Sequence, residues 1–216
     1  MLTFAIGDIH GCFDQLSQLV DRCNRFEKSE LRRFVFLGDY IDKGAESQPV
    51  VHLLMAFTKE DPTRFIALRG NHEDLLLQAG TNEGMPRWLI NGGGATLRSF
   101  GVTSPRELQP EVLHWLGELP LYNDDGKRFF VHAGIRPGVP FADQGRDDLL
   151  WIREPFLSST EHHGRLVVHG HTPTRDRTPD VGHNRVNIDT GAFLGGPLTA
   201  AIFTDHETMP IGFLQA

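Results

Sequence analysis

Side chains able to bind a metal recur beside glycine or at the end of an apolar run: Asp8 and His10 in GDIHG, Asp39 in GDYIDKG, Asn71 in GNHE, His132 in HAG and His171 in GHTP. Carboxylate, amide and imidazole donors in this number suffice for two adjacent divalent cations. Two such ions about 3.5–4 Å apart clamp phosphate oxygens and acidify a water between them, which is the equipment of phosphoester hydrolysis. Asp39 is suited to bridge them, since each carboxylate oxygen can serve one ion. Asp8 and His10, two residues apart in one loop, would complete the first site, and Asn71, His132 and His171 the second. The expected reaction is direct in-line attack of the bridging hydroxide on phosphorus. No Cys-x5-Arg loop or DxD nucleophile motif suggests a covalent phosphoenzyme. His72, beside Asn71, is the best general acid for the leaving oxygen, with Asp42 as the carboxylate that orients its ring and raises its pKa. Arg69, three residues before His72, adds positive charge for the phosphate oxygens.

Such residues need a scaffold that brings them to one place. Apolar or β-branched runs at Leu2–Ile6, Phe34–Leu37, Phe65–Leu68, Arg128–Val131, Leu166–His169, Arg185–Ile188 and Thr199–Phe203 read as strands. Phe13, Leu16, Leu19, Val20 and Cys23 recur at helical spacing between the first two, and Val50, Val51, Leu53, Leu54 and Phe57 between the next two, behind Pro49 in a first turn. Asp8 and Asp39 are 31 residues apart, and Asp39 and Asn71 are 32 apart, each about one βαβ unit. The opening third is therefore expected to be a right-handed βαβαβ unit with a parallel sheet. Ligands of such sheets gather beyond the C-terminal ends of the strands, where all these candidates fall. The stretch 73–119, with NGGG at Asn91, reads as a helical insert lying over the site, and Thr174–Asn184 as a polar surface loop. His169 is assigned to the core or a second layer, facing away from His171. His52, His114, His162, His163, His183 and His206 read as surface or packing residues, and Cys12 as a buried free thiol.

A chain of 216 residues with 39% hydrophobic and 23% charged residues is sized for one domain. Its net charge of −7 and lack of a Lys/Arg stripe argue against nucleic acid as a partner. It does not argue against phosphate, because two bound dications add roughly four positive charges locally. MLTFAIGDIHG reads as a first strand rather than a signal peptide, and no apolar window reaches the ~18 residues of a membrane span. Two cysteines make no disulfide framework, so a reducing, cytoplasmic location is expected. With no exposed heptad or long apolar stretch, a monomer is expected.

GDIHG, GDYIDKG, RGNHE, HAG and GHTP together resemble the phosphoprotein phosphatase family of metallophosphoesterases, within it the compact bacterial and bacteriophage-type serine/threonine phosphatases. The resemblance runs from Phe4 to Phe203 and includes WLINGGGATLRSFG at Trp88 and NIDTGAFLGGPLTAAIF at Asn187. It implies an α/β metallophosphoesterase fold: a two-sheet sandwich built on the βαβαβ unit, flanked by helices, as a single domain over 1–216. Carried over by position, Asp8, His10 and Asp39 match the first metal site, and Asp39, Asn71, His132 and His171 the second. His72 matches the acid and Asp42 its partner. Arg69 and, in LLWIREPF, Arg153 match arginines that grip phosphate, with Asn71 and Lys43 also at the phosphate. One position departs from the family pattern GDxxDRG: Lys43 stands where arginine is usual, offering a point charge in place of a planar fork. A weaker phosphate grip or altered substrate preference is expected from it. The resemblance points to manganese as the activating ion, with iron or zinc also suited to the ligands. It implies a phosphorylated protein or peptide as substrate, on serine or threonine first, with phosphotyrosine and small aryl phosphates also accepted. The alternative is a dinucleoside polyphosphate hydrolase acting on diadenosine tetraphosphate, against which the short NGGGATLRSFG-type insert weighs. A non-enzymatic scaffold is disfavoured because every candidate ligand and His72 are present.

Overall fold

The computed structural model describes residues 1–27, 31–81 and 83–216. Its first elements are β1 (Leu2–Ile6), α1 (Phe13–Arg25), β2 (Arg32–Phe36), α2 (Ser47–Glu60) and β3 (Phe65–Ala67). β1 pairs parallel with β2, and β2 parallel with β3. The helices form where apolar residues recur at helical spacing: α1 buries Leu16, Leu19, Val20 and Cys23, and α2 buries Val50, Val51 and Leu54. The expected βαβαβ unit is present.

The chain continues through α3 (Asn71–Gln78), α4 (Gly84–Trp88), a widened turn at Leu89–Gly93, α5 (Gly94–Phe100) and α6 (Pro110–Glu118). It then forms β4 (Tyr122–Asp124), β5 (Arg128–Val131), α7 (Arg146–Trp151), β6 (Leu166–His169), β7 (Asp180–Val181), β8 (Arg185–Asn187), β9 (Thr199–Thr204) and β10 (Gly212–Gln215). One sheet has the order β10-β9-β1-β2-β3, the other β4-β5-β6-β8-β7. β5, β6 and β8 run parallel, and each sheet carries antiparallel strands at its margins. β4, β7 and β10 were not legible as apolar runs: β4 and β7 are short and largely exposed, and β10 is half-buried. β7 lies inside the segment read as a polar loop, where pairing to β8 rather than side-chain burial creates the strand.

The layers follow from alternation along the strands. In β1, Leu2, Phe4 and Ile6 face the helices α1 and α2, while Ala5 faces the second sheet. In β5, Phe130 faces the first sheet, while Phe129 and Val131 turn outward toward Leu149 and Ile152. Both faces of the central strands are thus covered, which is why they read as continuous apolar runs. Stacked rings tie strands to helix: Phe4–Phe34 and Phe34–Phe65 lie 5.4 and 5.3 Å apart, and Phe65–Phe57 of α2 4.6 Å apart. Each such pair adds about 0.5–1.5 kcal/mol beyond area burial.

Beyond β2 and β3 the two loops touch backbone to backbone. Gly38 has φ 100, and a Cβ added there would lie 2.5 Å from the Gly70 nitrogen. Gly38→Ala therefore combines left-handed strain with a backbone clash and should cost about 1–3 kcal/mol from strain alone. A lowered melting temperature by circular dichroism is expected, and an unchanged one would show that the loops need not meet so closely.

Candidate metal centre

The loops at the strand ends converge around Asp39. Its Oδ2 lies 3.3 Å from His10 Nε2, and its Oδ1 3.4 Å from His132 Nε2. The two oxygens thus face two separate groups of side chains, His10 with His72 and His132 with His171, each close enough to Asp39 to share one cation with it. Asn71 joins the second group: its Oδ1 lies 2.7 Å from His132 Nε2 and 2.8 Å from His171 Nδ1. Asp8 is buried in the same cluster, but both its oxygens accept the backbone N–H of His171 at 3.1 Å.

The imidazoles are oriented from behind. His10 Nδ1 donates to the Ile41 carbonyl at 2.8 Å and His132 Nδ1 to the Leu37 carbonyl at 3.0 Å. A carbonyl only accepts, so each ring, when neutral, presents its Nε2 lone pair inward. The His132 lone pair then faces the acceptor oxygens of Asn71 and Asp39 with no hydrogen between them, an arrangement that a cation resolves. Burial disfavours the charged rings: His10 and His171 are pushed down to about 3, and His132 below its ordinary value. The carboxyl groups report the complementary imbalance. Burial, then Asp189 and Asp39, raise Asp8 well above the carboxylate range. Burial and Asp39 also raise Glu73 and Asp189, each to about 7. Asp39 goes the other way: burial opposes its ionisation, but His132, His72, His10 and the His72 N–H hold it below the usual range. A pair of divalent cations fits this donor set.

The backbone is bent to serve the cluster. His10, Asp39, Asp42, Lys43 and His171 all have positive φ, between 46 and 69°, in a region that non-glycine residues rarely occupy. The φ of 67° at His171 also turns the chain after β6. His171 joins the cluster while His169, two residues earlier, packs outward on Phe156 at 5.0 Å.

His72 lies at the start of α3 with its Nδ1 2.7 Å from Asp42 Oδ2 and its Nε2 3.8 Å from Asp39 Oδ2. Asp42 is fully buried and receives Trp88 Nε1–H at 2.9 Å and Thr96 Oγ1–H at 2.6 Å, both from the segment 73–119. That segment therefore braces the Asp42 loop from inside, besides placing Asn91 at a neighbouring cleft. The cleft, about 610 Å³, is lined by Asn91, Arg136, Trp151 and Arg153 beside His171. Lys43 reaches His10 Nε2 at 3.4 Å. Arg69 is placed differently: it is buried and its guanidinium donates to the Gly117 carbonyl of α6, with Nε unpartnered among the described residues.

Some contributors were not read from the sequence. Glu73 accepts the backbone N–H groups of Asp39, Tyr40 and Gly70 at 2.8–2.9 Å, locking two loops together. Asp189 follows an apolar run just as Asp8 and Asp39 do, so the same strand-end reasoning would have found it. Trp88, Thr96 and Phe193 lie in stretches marked only by resemblance, and nothing local assigned them a role, because their partners lie far away in sequence.

Residues 1–201 match the family model described as calcineurin-like phosphoesterase. The chain is 33% identical to a serine/threonine-protein phosphatase 1 of Salmonella typhimurium, over 92% of this chain and 90% of that protein. It is 30% identical to the bis(5'-nucleosyl)-tetraphosphatase PrpE [asymmetrical] of Halalkalibacterium halodurans, over 95% of this chain and 92% of that protein. In fold it is similar to a metallophosphoesterase from Sphaerobacter thermophilus, with a TM-score of 0.65 at 17% identity over all of this chain and 88% of that one. With the family model spanning nearly the whole chain, this chain belongs to the calcineurin-like phosphoesterases.

Proposed function

We propose that the chain is a dimetal phosphoprotein phosphatase acting on phosphoserine and phosphothreonine, and on phosphotyrosine and small aryl phosphates more broadly. The observation that carries the hydrolytic reading is Asp39, whose two oxygens face two different imidazole groups. Two divalent cations bound there, manganese being the first to test, would supply charge for the phosphate oxygens and acidify a water near neutral pH. Asp8 and His10 would hold the first cation with Asp39, and Asn71, His132 and His171 the second. His72 directs Nε2 into the cluster and hands its proton to the leaving oxygen, while Asp42 fixes the ring through Nδ1. Lys43, Arg153 and Asn71 contribute donors for the phosphate. Arg69, in the loop after β3, contributes once its guanidinium turns from the Gly117 carbonyl of α6.

The second reading, hydrolysis of dinucleoside polyphosphates, is favoured by the likeness to the tetraphosphatase of Halalkalibacterium halodurans. Hydrolysis by the manganese-loaded enzyme separates the two, read as inorganic phosphate from a phosphopeptide and as mononucleotide products from diadenosine tetraphosphate, whose cleavage frees no inorganic phosphate. Phosphoserine and phosphothreonine peptides should be hydrolysed faster than diadenosine tetraphosphate at matched concentration, and the reverse preference would make the second reading the function.

The acid role has a pH signature. Burial opposes a charged His72, but Asp39 and the hydrogen bond that His72 donates to Asp42 outweigh it and raise its pKa above the ordinary value. The proton-donating form therefore persists to higher pH than in an ordinary imidazole, and the rate falls as pH rises through the raised pKa. In Asp42→Asn the raising partner loses its charge, so the alkaline limb of kcat/KM should move to lower pH, and His72→Asn should lose orders of magnitude in kcat with metal retained. An alkaline limb unmoved by Asp42→Asn would reject His72 as the acid.

Metal removal has a stability signature. Free manganese a hundredfold above its dissociation constant stabilises by about 2.7 kcal/mol per site. At about 2–4 °C per kcal/mol for a chain of this size, manganese should raise the melting temperature measurably and EDTA should reverse it. A melting temperature indifferent to manganese, zinc and EDTA would reject the metal centre.

A further inference from the structure

Lys43 is held in place by segments far from it in sequence. Its backbone adopts φ 64, and its N–H points to the Gly92 carbonyl at 3.5 Å. Gly92, at φ 107 in the widened turn, approaches so closely that an added Cβ would lie 3.0 Å from Lys43 Cγ. At the other end of the side chain, Nζ lies 4.3 Å from the centroid of the Phe193 ring. Phe193 stands in the short turn Ala192–Leu194 that follows β8, and its ring meets the His10 ring edge-on with centroids 4.8 Å apart.

We propose that Phe193 is a positioning residue for substrate binding: its ring holds the Lys43 ammonium beside the first metal group, where the ammonium takes a phosphate oxygen. The proposal rests on the reading of this centre as a phosphohydrolase in which Lys43 contacts phosphate. A lysine at this position has a flexible stem and no planar fork, so its charge must be placed by its surroundings. Two contacts are available for that. The one to His10 Nε2 depends on a lone pair that a cation in the cluster would claim. The one to Phe193 depends only on the ring's negative face, which attracts an ammonium at this distance and leaves its hydrogens free for an acceptor. Phe193 is thus the anchor that lasts, and it supplies by packing the direction that an arginine fork would carry within itself.

The test uses the manganese-loaded full chain with p-nitrophenyl phosphate as substrate and inorganic phosphate as competing product. Phe193→Leu should raise the KM of the ester and the inhibition constant of phosphate together, by roughly three- to tenfold, with kcat and bound manganese unchanged. Phe193→Tyr, which keeps the ring face, should restore both constants. Lys43→Met should raise the same constants, and adding Phe193→Leu to it should raise them no further. Should Phe193→Leu fail to fold, Phe193→Met removes the ring with little change of volume and is read in the same way. If Lys43→Met leaves both constants at their original values, the phosphate role of Lys43 falls and the proposal with it. If Lys43→Met raises them but Phe193→Leu does not, or acts equally with Met at position 43, the proposal is overturned while the hydrolase reading stands. Loss of bound manganese in Phe193→Leu would also overturn it, since Phe193 would then act through His10.

Discussion

Burying several carboxyl groups side by side is costly in a low-dielectric interior unless each finds donors or a cation, and the centre of this protein is organised by that cost. Asp8, Asp39, Asp42, Glu73 and Asp189 are all buried around the ends of β1, β2, β3 and β8. Two of them are satisfied by the protein alone. Asp42 receives an imidazole, an indole and a hydroxyl, and Glu73 three backbone N–H groups. Asp39 and Asp8 accept one backbone N–H each, from His72 and His171. Their remaining capacity, together with the inward lone pairs of His10 and His132, is left facing the cluster. The protein thus divides its acids into a satisfied set, which stiffens the loops, and an unsatisfied set, which demands cations.

The division depends on backbone geometry as much as on residue type. Parallel strands end side by side, so β1, β2 and β3 deliver Asp8, Asp39 and Asn71 to one rim, while β5 and β6 deliver His132 and His171 to the same rim from the second sheet. A strand end alone does not aim a side chain inward. The left-handed φ at His10, Asp39 and His171 supplies the aim, and Glu73, tied to the Asp39–Tyr40 and Gly70 amides, keeps those loops from relaxing.

The same contrast explains what the sequence disclosed. The βαβαβ unit was legible because its strands are buried on both faces and its helices on one, so local composition carries the pattern. Asp8, His10, Asp39, Asn71, His132 and His171 were legible because glycine punctuation and strand-end position mark them locally. β4, β7 and β10 left no such mark, being defined by pairing at sheet margins rather than by burial. The roles of Trp88 and Thr96 were hidden for a related reason: the WLINGGGATLRSFG stretch was noticed by resemblance, but each residue acts by meeting Asp42, some fifty residues away. The insert was correctly read as mostly helical, but its spacing gave no hint that it carries the indole and hydroxyl that hold Asp42 beside His72.

That internal role bears on how specificity can vary in such a fold. Residues 88–96 contribute to two things at once: Trp88 and Thr96 hold Asp42, while Asn91 lines the cleft beside His171 and Gly92 presses on Lys43. A change at Asn91 alters only the cleft wall, whereas a change at Trp88 or Thr96 strips donors from a fully buried carboxylate and so disturbs His72. The cleft wall is therefore free to change through the exposed side of this segment while its buried side is pinned by the charge it must satisfy.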